Sequence, residues 1–391
     1  MPSLTVVLGV VALGASPAAA APAAPFDLRA LERTRVLRLA EASLAEAPLT
    51  ITATSSPRSA GGPHDYFSEG DYWWPDPENP GGPYLRRDGE SNPTNFDGHR
   101  RALRRMSRLV PALAAGWLLT GDARYARHAA RHLRAWFLDP ATRMSPHLRY
   151  AQAIHGRSTG RGVGIIDTIH LVEVSRAIEA LASAPGLSPA ESRGVRQWFA
   201  DYLAWMTTSP NGIEERDAKN NHGTCYVMQA AAFARLTANE ARLAWCRERF
   251  RRVIVPTQVA PDGSFPLELA RSKPYSYSLF NLEALSAAVE LLTVPGEDLW
   301  RFETADGRGL RRAVAWLVPY VRDKRRWPFA PDVQYFDDWP MRQASLLFAG
   351  LALGEPSYLE LWRTLRADSD VDEVVRNFFV RQPVLWVAPA R

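Results

Sequence analysis

Two amides and an imidazole stand side by side at Asn220-Asn221-His222, just ahead of an apolar helical run (Tyr226, Val227, Met228, Ala231, Phe233, Leu236). A helix start offers unpaired N–H groups and partial positive charge, so amides placed there suit an anion. An imidazole beside them titrates near neutral pH. A second cluster, Glu268-Leu269-Ala270-Arg271-Ser272-Lys273-Pro274-Tyr275-Ser276-Tyr277, adds a guanidinium and two phenols. Together these groups have what is needed to neutralise a carboxylate and move a proton next to it. Each also has a plain structural reading: Asn220 or Asn221 as a helix cap, His222 as a core histidine, Tyr277 as a wall residue.

The elements that must carry them read as helices. Leu28–Ala47 has apolar residues at helical spacing, and Asp97 is a suitable N-cap for a helix over Arg100–Thr120, which stops at Gly121. Helices are expected next at Ala123–Leu138 and Ile165–Ala184, then after the capping box Ser188-Pro189-Ala190-Glu191 and after Asn220-Asn221-His222. Further ones are expected over Glu240–Val255, Leu279–Leu292, Leu310–Val321, Met341–Leu353, Tyr358–Ala367 and Val371–Phe379. There is little period-2 alternation and no βαβ rhythm, so the fold class is all-α. A dozen helices joined by alternating short and long loops suggest antiparallel pairs curled into an α/α toroid, one domain over residues 21–391.

Residues 55–95 break the helical texture with Pro, Gly, Asp and aromatics, including Asp71-Tyr72-Trp73-Trp74-Pro75-Asp76-Pro77. So long a loop in a compact domain is usually functional, and Trp, Tyr, Arg and Asn suit sugar rings. A lid that only packs is the plainer alternative.

With 391 residues, 46% hydrophobic and 23% charged, the chain can bury a large core, and nothing in it indicates disorder. The net charge of +5 and pI near 9.3 favour an acidic partner. The arginines are scattered and form no polybasic run, which argues against nucleic acid. Residues 4–20 are apolar, end in small residues and are short for a membrane span, so residues 1–20 read as a secretory signal and the mature protein as periplasmic or secreted. Cys225 and Cys246 suit either a bridge or two buried thiols. His128 and His132 at i, i+4 lack the intervening Glu of a zincin site and read as part of a basic face. Asp337-Asp338 suits a cap or loop better than half of a glycosidase pair. His64, His99 and His170 read as structural.

Several of these stretches recur in one known family. Asp71-Tyr72-Trp73-Trp74-Pro75-Asp76-Pro77 with Arg87-Asp88-Gly89, Tyr150-Ala151-Gln152-Ala153-Ile154 with Gly160-Arg161-Gly162, Asn220-Asn221-His222-Gly223, and Glu268-Leu269-Ala270-Arg271 resemble the alginate lyase superfamily of α/α-toroid polysaccharide lyases. The tail from Arg271 through Tyr277 to Asn281 is more similar to the subgroup acting on glucuronan and alginate. The resemblance implies a barrel of six or seven helix pairs and β-elimination on an acidic polysaccharide, with no metal or cofactor. It implies Asn221 and Arg271 at the C5 carboxylate and His222 and Tyr277 flanking C5. Tyr277, its pKa lowered by cations such as Arg271, is then expected to take the C5 proton and return one to O4, with His222 either sharing the proton or acting as the base for epimers of opposite C5 configuration. Tyr275 competes for the phenol role, although the family's spacing from the arginine favours Tyr277. Trp73, Trp74, Arg87, Gln152, Arg161, Asn220, Tyr275 and Tyr335 are candidates for holding flanking sugars. Gly223-Thr224-Cys225 departs from relatives with larger residues there, which puts the shape of the subsite in question. An α/α-toroid glycoside hydrolase and a non-catalytic acidic-polysaccharide binder are the alternatives from other classes.

Overall fold

In the computed structural model, which describes residues 26–387, outer and inner helices alternate along the chain. The first half carries α1 (Leu28–Leu44), α2 (Gly98–Thr120), α3 (Ala123–Phe137), α4 (Leu171–Ala180), α5 (Pro189–Thr208), α6 (Pro210–Arg216) and α7 (Asn221–Leu236). The second carries α8 (Glu240–Arg249), α9 (Val255–Gln258), α10 (Pro266–Leu269), α11 (Pro274–Leu292), α12 (Leu310–Arg322), α13 (Ala344–Leu353), α14 (Pro356–Thr364) and α15 (Asp372–Asn377). Neighbouring inner helices pack in the order α2, α4, α7, α11, α13, each with outer helices behind it, which is an α/α toroid. The secretory segment expected over residues 1–20 lies outside the described residues. No helix among the described residues is long and apolar enough to cross a membrane.

The inner ring follows from sequence. A helix apolar on all sides is stable only when buried on all sides, and α7 and α11 are the extreme cases. In α7 every residue but His222 and Arg235 is buried. In α11 every residue but Tyr277 and Glu290 is buried. Phe233, Tyr226 and Leu285 fill the interface between the ring and its outer helices without a trace of exposure, and truncating such an aromatic to Ala costs about 3–5 kcal/mol.

Some helix starts have local caps: Ser188 and Glu191 form the full capping box, Asp122 accepts from Arg124 N–H, and Asn239 accepts from Arg242 N–H. Asp97 stands at the N-cap position of α2, but its side chain makes no capping bond. Two other starts are capped from far away. Asp332 accepts the N–H groups of Tyr275 and Ser276 at 2.8 and 3.0 Å, so α11 begins at Pro274 and not at Leu279. Glu283 does the same for Ala344 and Ser345 at 2.9 and 3.1 Å, opening α13. Burial pushes Glu283 up to about 7 against the pull of those N–H groups. The expected helix over Ile165–Ala184 is instead a 3₁₀ turn over Gly162–Thr168 followed by α4. Thr168 there turns its hydroxyl back onto the Ile165 carbonyl and toward Gln229.

The lid is two short ribbons. β1 (Phe67–Glu69) pairs in parallel with β4 (Tyr150–Ala153), and β2 (Trp73–Trp74) pairs antiparallel with β3 (Leu85–Arg86). Cys225 and Cys246 are both buried free thiols. His128 and His132 both direct Nε2 at the Glu46 carbonyl, at 2.8 and 3.1 Å. Asp337 is fully exposed beside Lys324.

Candidate active site

A cavity of about 300 Å³ opens over the N-terminal ends of α7 and α11, with the lid as its other wall. His222 and Tyr277, the incompletely buried residues at those two ends, both line it, as do Asn221 and Arg271.

Buried carboxylates hold the α7 end. Asn220 caps the helix through its side chain on His222 N–H. Asn221 donates its backbone N–H to Glu268 Oε1 and its side-chain Nδ2 to Glu268 Oε2, both at 2.7 Å. One carboxylate therefore fixes both groups of Asn221 and leaves its amide the second N–H. Gly223 is required by space: a Cβ there would meet the Ala218 carbonyl oxygen at 2.2 Å. Thr224 bonds Gln258 and Cys225 lies in the core, so the small residues after His222 serve packing and do not shape the cavity.

His222 bonds through Nδ1 to Glu215 Oε1 at 2.7 Å, leaving Nε2 with no partner among the described residues. Glu215, at the end of α6, is completely buried, and its Oε2 has no hydrogen-bond partner. Burial works against charge on the imidazole, but the adjacent Glu215 carboxylate outweighs it and raises the His222 pKa.

On the α11 side the Tyr277 hydroxyl meets the Tyr72 hydroxyl at 2.8 Å, and Arg376 donates to Tyr72 at 3.2 Å. The Arg271 guanidinium lies 4.5 Å above the Tyr277 ring, with Nη2 3.4 Å from the hydroxyl. The expected lowering of the Tyr277 pKa does not occur. Burial and the neighbouring Tyr72 raise it well above the ordinary phenol value, and Arg271 only partly offsets them. Arg271 is itself engaged, since Nε and Nη2 grip Asp88 of the lid at 3.1 and 2.9 Å. Burial alone would push Asp88 up, but this fork and the Arg271 charge hold it well below the usual carboxylate range. Arg271 thus ties the lid to the start of α11 as well as facing the cavity.

The lid contributes fewer residues than its composition suggests. Trp73 lines the cavity, flanked by the guanidinium groups of Arg157 and Arg161 at 5.5 and 5.8 Å. Arg161 donates to the Gln152 carbonyl at 2.8 Å, and Gln152, held at φ 49°, donates Nε2 to Asp167 at 3.1 Å; both line the cavity, as does Asn220. Four candidates lie elsewhere. Successive side chains of a strand point to opposite faces, so Trp74 turns away from Trp73, bonds the Glu90 carbonyl and carries Arg87 over its ring at 5.0 Å. Tyr275 is buried against Trp327 and Phe336, with its hydroxyl on the Tyr320 carbonyl. Tyr335 sits exposed at φ 62°, with Lys273 Nζ 5.1 Å from its ring, outside the cavity.

Sequence reading assigned no role to Glu215, Glu268, Asp88, Tyr72 or Arg376. Glu268 and Asp88 fall inside the motifs already singled out, and that was the available signal. Glu215 and Arg376 carry none, because tertiary packing alone brings them to the site.

Residues 50–327 match the family model for alginate lyase. An alginate lyase from Bacteroides ovatus is 32% identical, with 90% of this chain and 92% of that one covered and a TM-score of 0.79. Alginate lyase A1-III in complex with a tetrasaccharide aligns over 92% of this chain and 94% of that one at 15% identity and a TM-score of 0.59. The same enzyme from Sphingomonas species A1 gives 15% identity over 90% of this chain and 95% of that one, with a TM-score of 0.52. At that identity the A1-III structures speak for the toroid fold alone. Among curated proteins nothing matches. A family model spanning more than half of the chain, and a relative 32% identical across nine-tenths of it, show that the chain belongs to the alginate lyase family of polysaccharide lyases.

Proposed function

We propose that the protein cleaves a uronic-acid polymer of the mannuronate or glucuronate type by β-elimination, with no metal in the step. The observation that supports this most is the convergence of His222, Tyr277, Asn221 and Arg271 on one cavity. The C5–H of a uronate is weakly acidic, and charge accumulates on its carboxylate as the proton leaves. The spare N–H of Asn221, the Arg271 guanidinium and a protonated His222 are positioned to meet that charge, which is usually the largest contribution to such a reaction. Glu215 acts through His222, fixing its tautomer and favouring its charged form.

In β-D-mannuronate and β-D-glucuronate, H5 and O4 lie on the same face, so one group can serve both as base and as acid. Tyr277 takes the C5 proton and returns a proton to O4 as the C4–O4 bond breaks. Its high pKa sets a condition: the phenol proton must first pass to bulk solvent, after which the C5 proton that Tyr277 takes is the one it returns to O4, and Arg271 and Arg376, at either end of the Tyr277–Tyr72 hydroxyl pair, stabilise the phenolate. Trp73, Gln152 and Arg161 position the neighbouring sugar. Export by the segment over residues 1–20 would bring the enzyme to its polymer.

Ultraviolet absorbance from the conjugated enoate, followed with chelator present on glucuronan, polymannuronate, polyguluronate and hyaluronan separately, tests the reading. A rise on polymannuronate or glucuronan is expected. New reducing ends without absorbance would make the protein a hydrolase, and binding without either would make it a binding protein.

A further inference from the structure

Behind α15 lies a second cavity, of about 620 Å³, between the later part of α1, the middle of α2 and the segment 367–382. The two cavities share that short helix: Arg376 and Asn377 face the cleft, while Val374 and Val375 line the second cavity. Five guanidinium groups line it, from Arg35, Arg38, Arg105, Arg108 and Arg381. Their neutralisation is uneven. Asp368 serves both Arg35 and Arg38, and Glu46 serves Arg105. Arg108 is exposed and forms no ion pair among the described residues, and Arg381 bonds only the Val375 carbonyl through its side chain. Asp370 also lines the cavity but forms no ion pair with either of them. Burial and the like charge of Arg108 push Arg381 down to about 9, and the carboxylates of Glu173 and Asp368 only partly offset them. Leu109, Val375 and Phe378 supply an apolar wall.

We propose that this cavity is a second binding site for an acidic sugar, its carboxylate taken by Arg108 and Arg381 and its C–H face laid against Phe378. The anion is inferred from these residues directly; its identity as an oligouronide rests on the function proposed above. An occupant here would stiffen α15, whose Arg376 reaches Tyr72 in the cleft.

Calorimetric titration with mannuronate and glucuronate trisaccharides tests this, using the Tyr277→Phe protein so that nothing is cleaved. Two sites are expected, and adding Arg108→Glu, an exposed position, should remove one of them or weaken it by roughly tenfold or more with the thermal midpoint unchanged. One site in both proteins, or two sites indifferent to Arg108→Glu, would overturn the proposal. Sulfate binding abolished by Arg108→Glu while neither trisaccharide binds there would overturn the sugar assignment and leave a plain anion site. Enoate production by the wild-type protein is read separately, so a lyase without a second site and a second site without lyase activity give different results.

Discussion

The two walls of the cleft are built on different physical principles. The helix wall is held by buried carboxylates that accept from main-chain and side-chain groups: Glu268 on Asn221, Glu215 on His222, Asp332 on the start of α11. The lid wall is held by arginine forks and by aromatic faces: Arg271 on Asp88, Arg376 and Arg100 on Asp71, Arg157 and Arg161 against Trp73. Buried hydrogen-bonded groups have one low-energy arrangement, because any other leaves a desolvated polar atom. The part-exposed Arg271–Asp88 fork and the ring faces tolerate displacement, whereas Arg100, paired with Asp71, is buried and anchors the base of the lid. Under the function proposed above, Tyr277, His222, Asn221 and Arg271 would carry the chemistry, and Trp73, Gln152 and Arg161 would position the substrate.

The largest effect that would break this division is at Tyr277. Tyr277→Phe should lower kcat by roughly 10²–10⁴-fold while leaving substrate binding within a few-fold, measured by steady-state enoate formation and calorimetry. Tyr275→Phe should keep near-native activity and lose only the bond to Tyr320, about 1 kcal/mol of stability. If instead Tyr275→Phe is the inactive variant, the helix wall has been assigned the wrong phenol.

Next comes Glu215→Gln, with an expected fall in kcat of roughly 10–100-fold. Because Glu215 raises the pKa of His222 against burial, removing its charge should move the His222 titration midpoint to lower pH, seen by NMR of histidine-labelled protein. A purely structural role for Glu215 would lower the thermal midpoint without moving that titration.

On the lid wall, neighbours should differ. Trp73→Ala should raise KM by roughly tenfold with little change in kcat, while Trp74→Ala, on the opposite face of the same ribbon, should change neither appreciably. Equal effects would mean that the ribbon is turned when substrate binds.

The smallest effect concerns stability. The pKa of Glu283, which caps α13, is raised to about 7 in the folded protein from 4.5. Between those values the folded state holds a proton that the unfolded state has released, so this contribution is complete below about pH 4.5 and is lost as pH rises through about 7. Thermal midpoints measured over that range should show the decline in the wild type and a flatter profile in Glu283→Gln.

How much of this was legible in the sequence differs along the chain. The all-α class was legible because helical spacing, the Ser188–Glu191 box and Gly121 act within a few residues. The residue types on the helix wall were legible too, since Asn221, His222, Arg271 and Tyr277 sit in short motifs, although the helix that carries Tyr277 was expected to start only at Leu279. The lid was legible only as a region. Choosing Trp73 over Trp74 needs the pairing of Trp73 with Arg86 and Trp74 with Leu85, and a two-residue strand shows no alternation by itself.

The sequence by itself determined the ring of helices, because a helix with apolar residues on every face, such as α11, is stable only at the centre. It also determined which residue types stand at the ends of those helices. Tertiary structure alone decided where α11 begins, that Arg271 is shared with Asp88, and that the pKa of Tyr277 rises and not falls. It likewise placed Glu215, seven positions before His222 and on a different helix, beneath the imidazole. The physical reason is the same for all four: each depends on the charge, hydrogen bonds and desolvation that meet at one point in space from segments far apart in sequence.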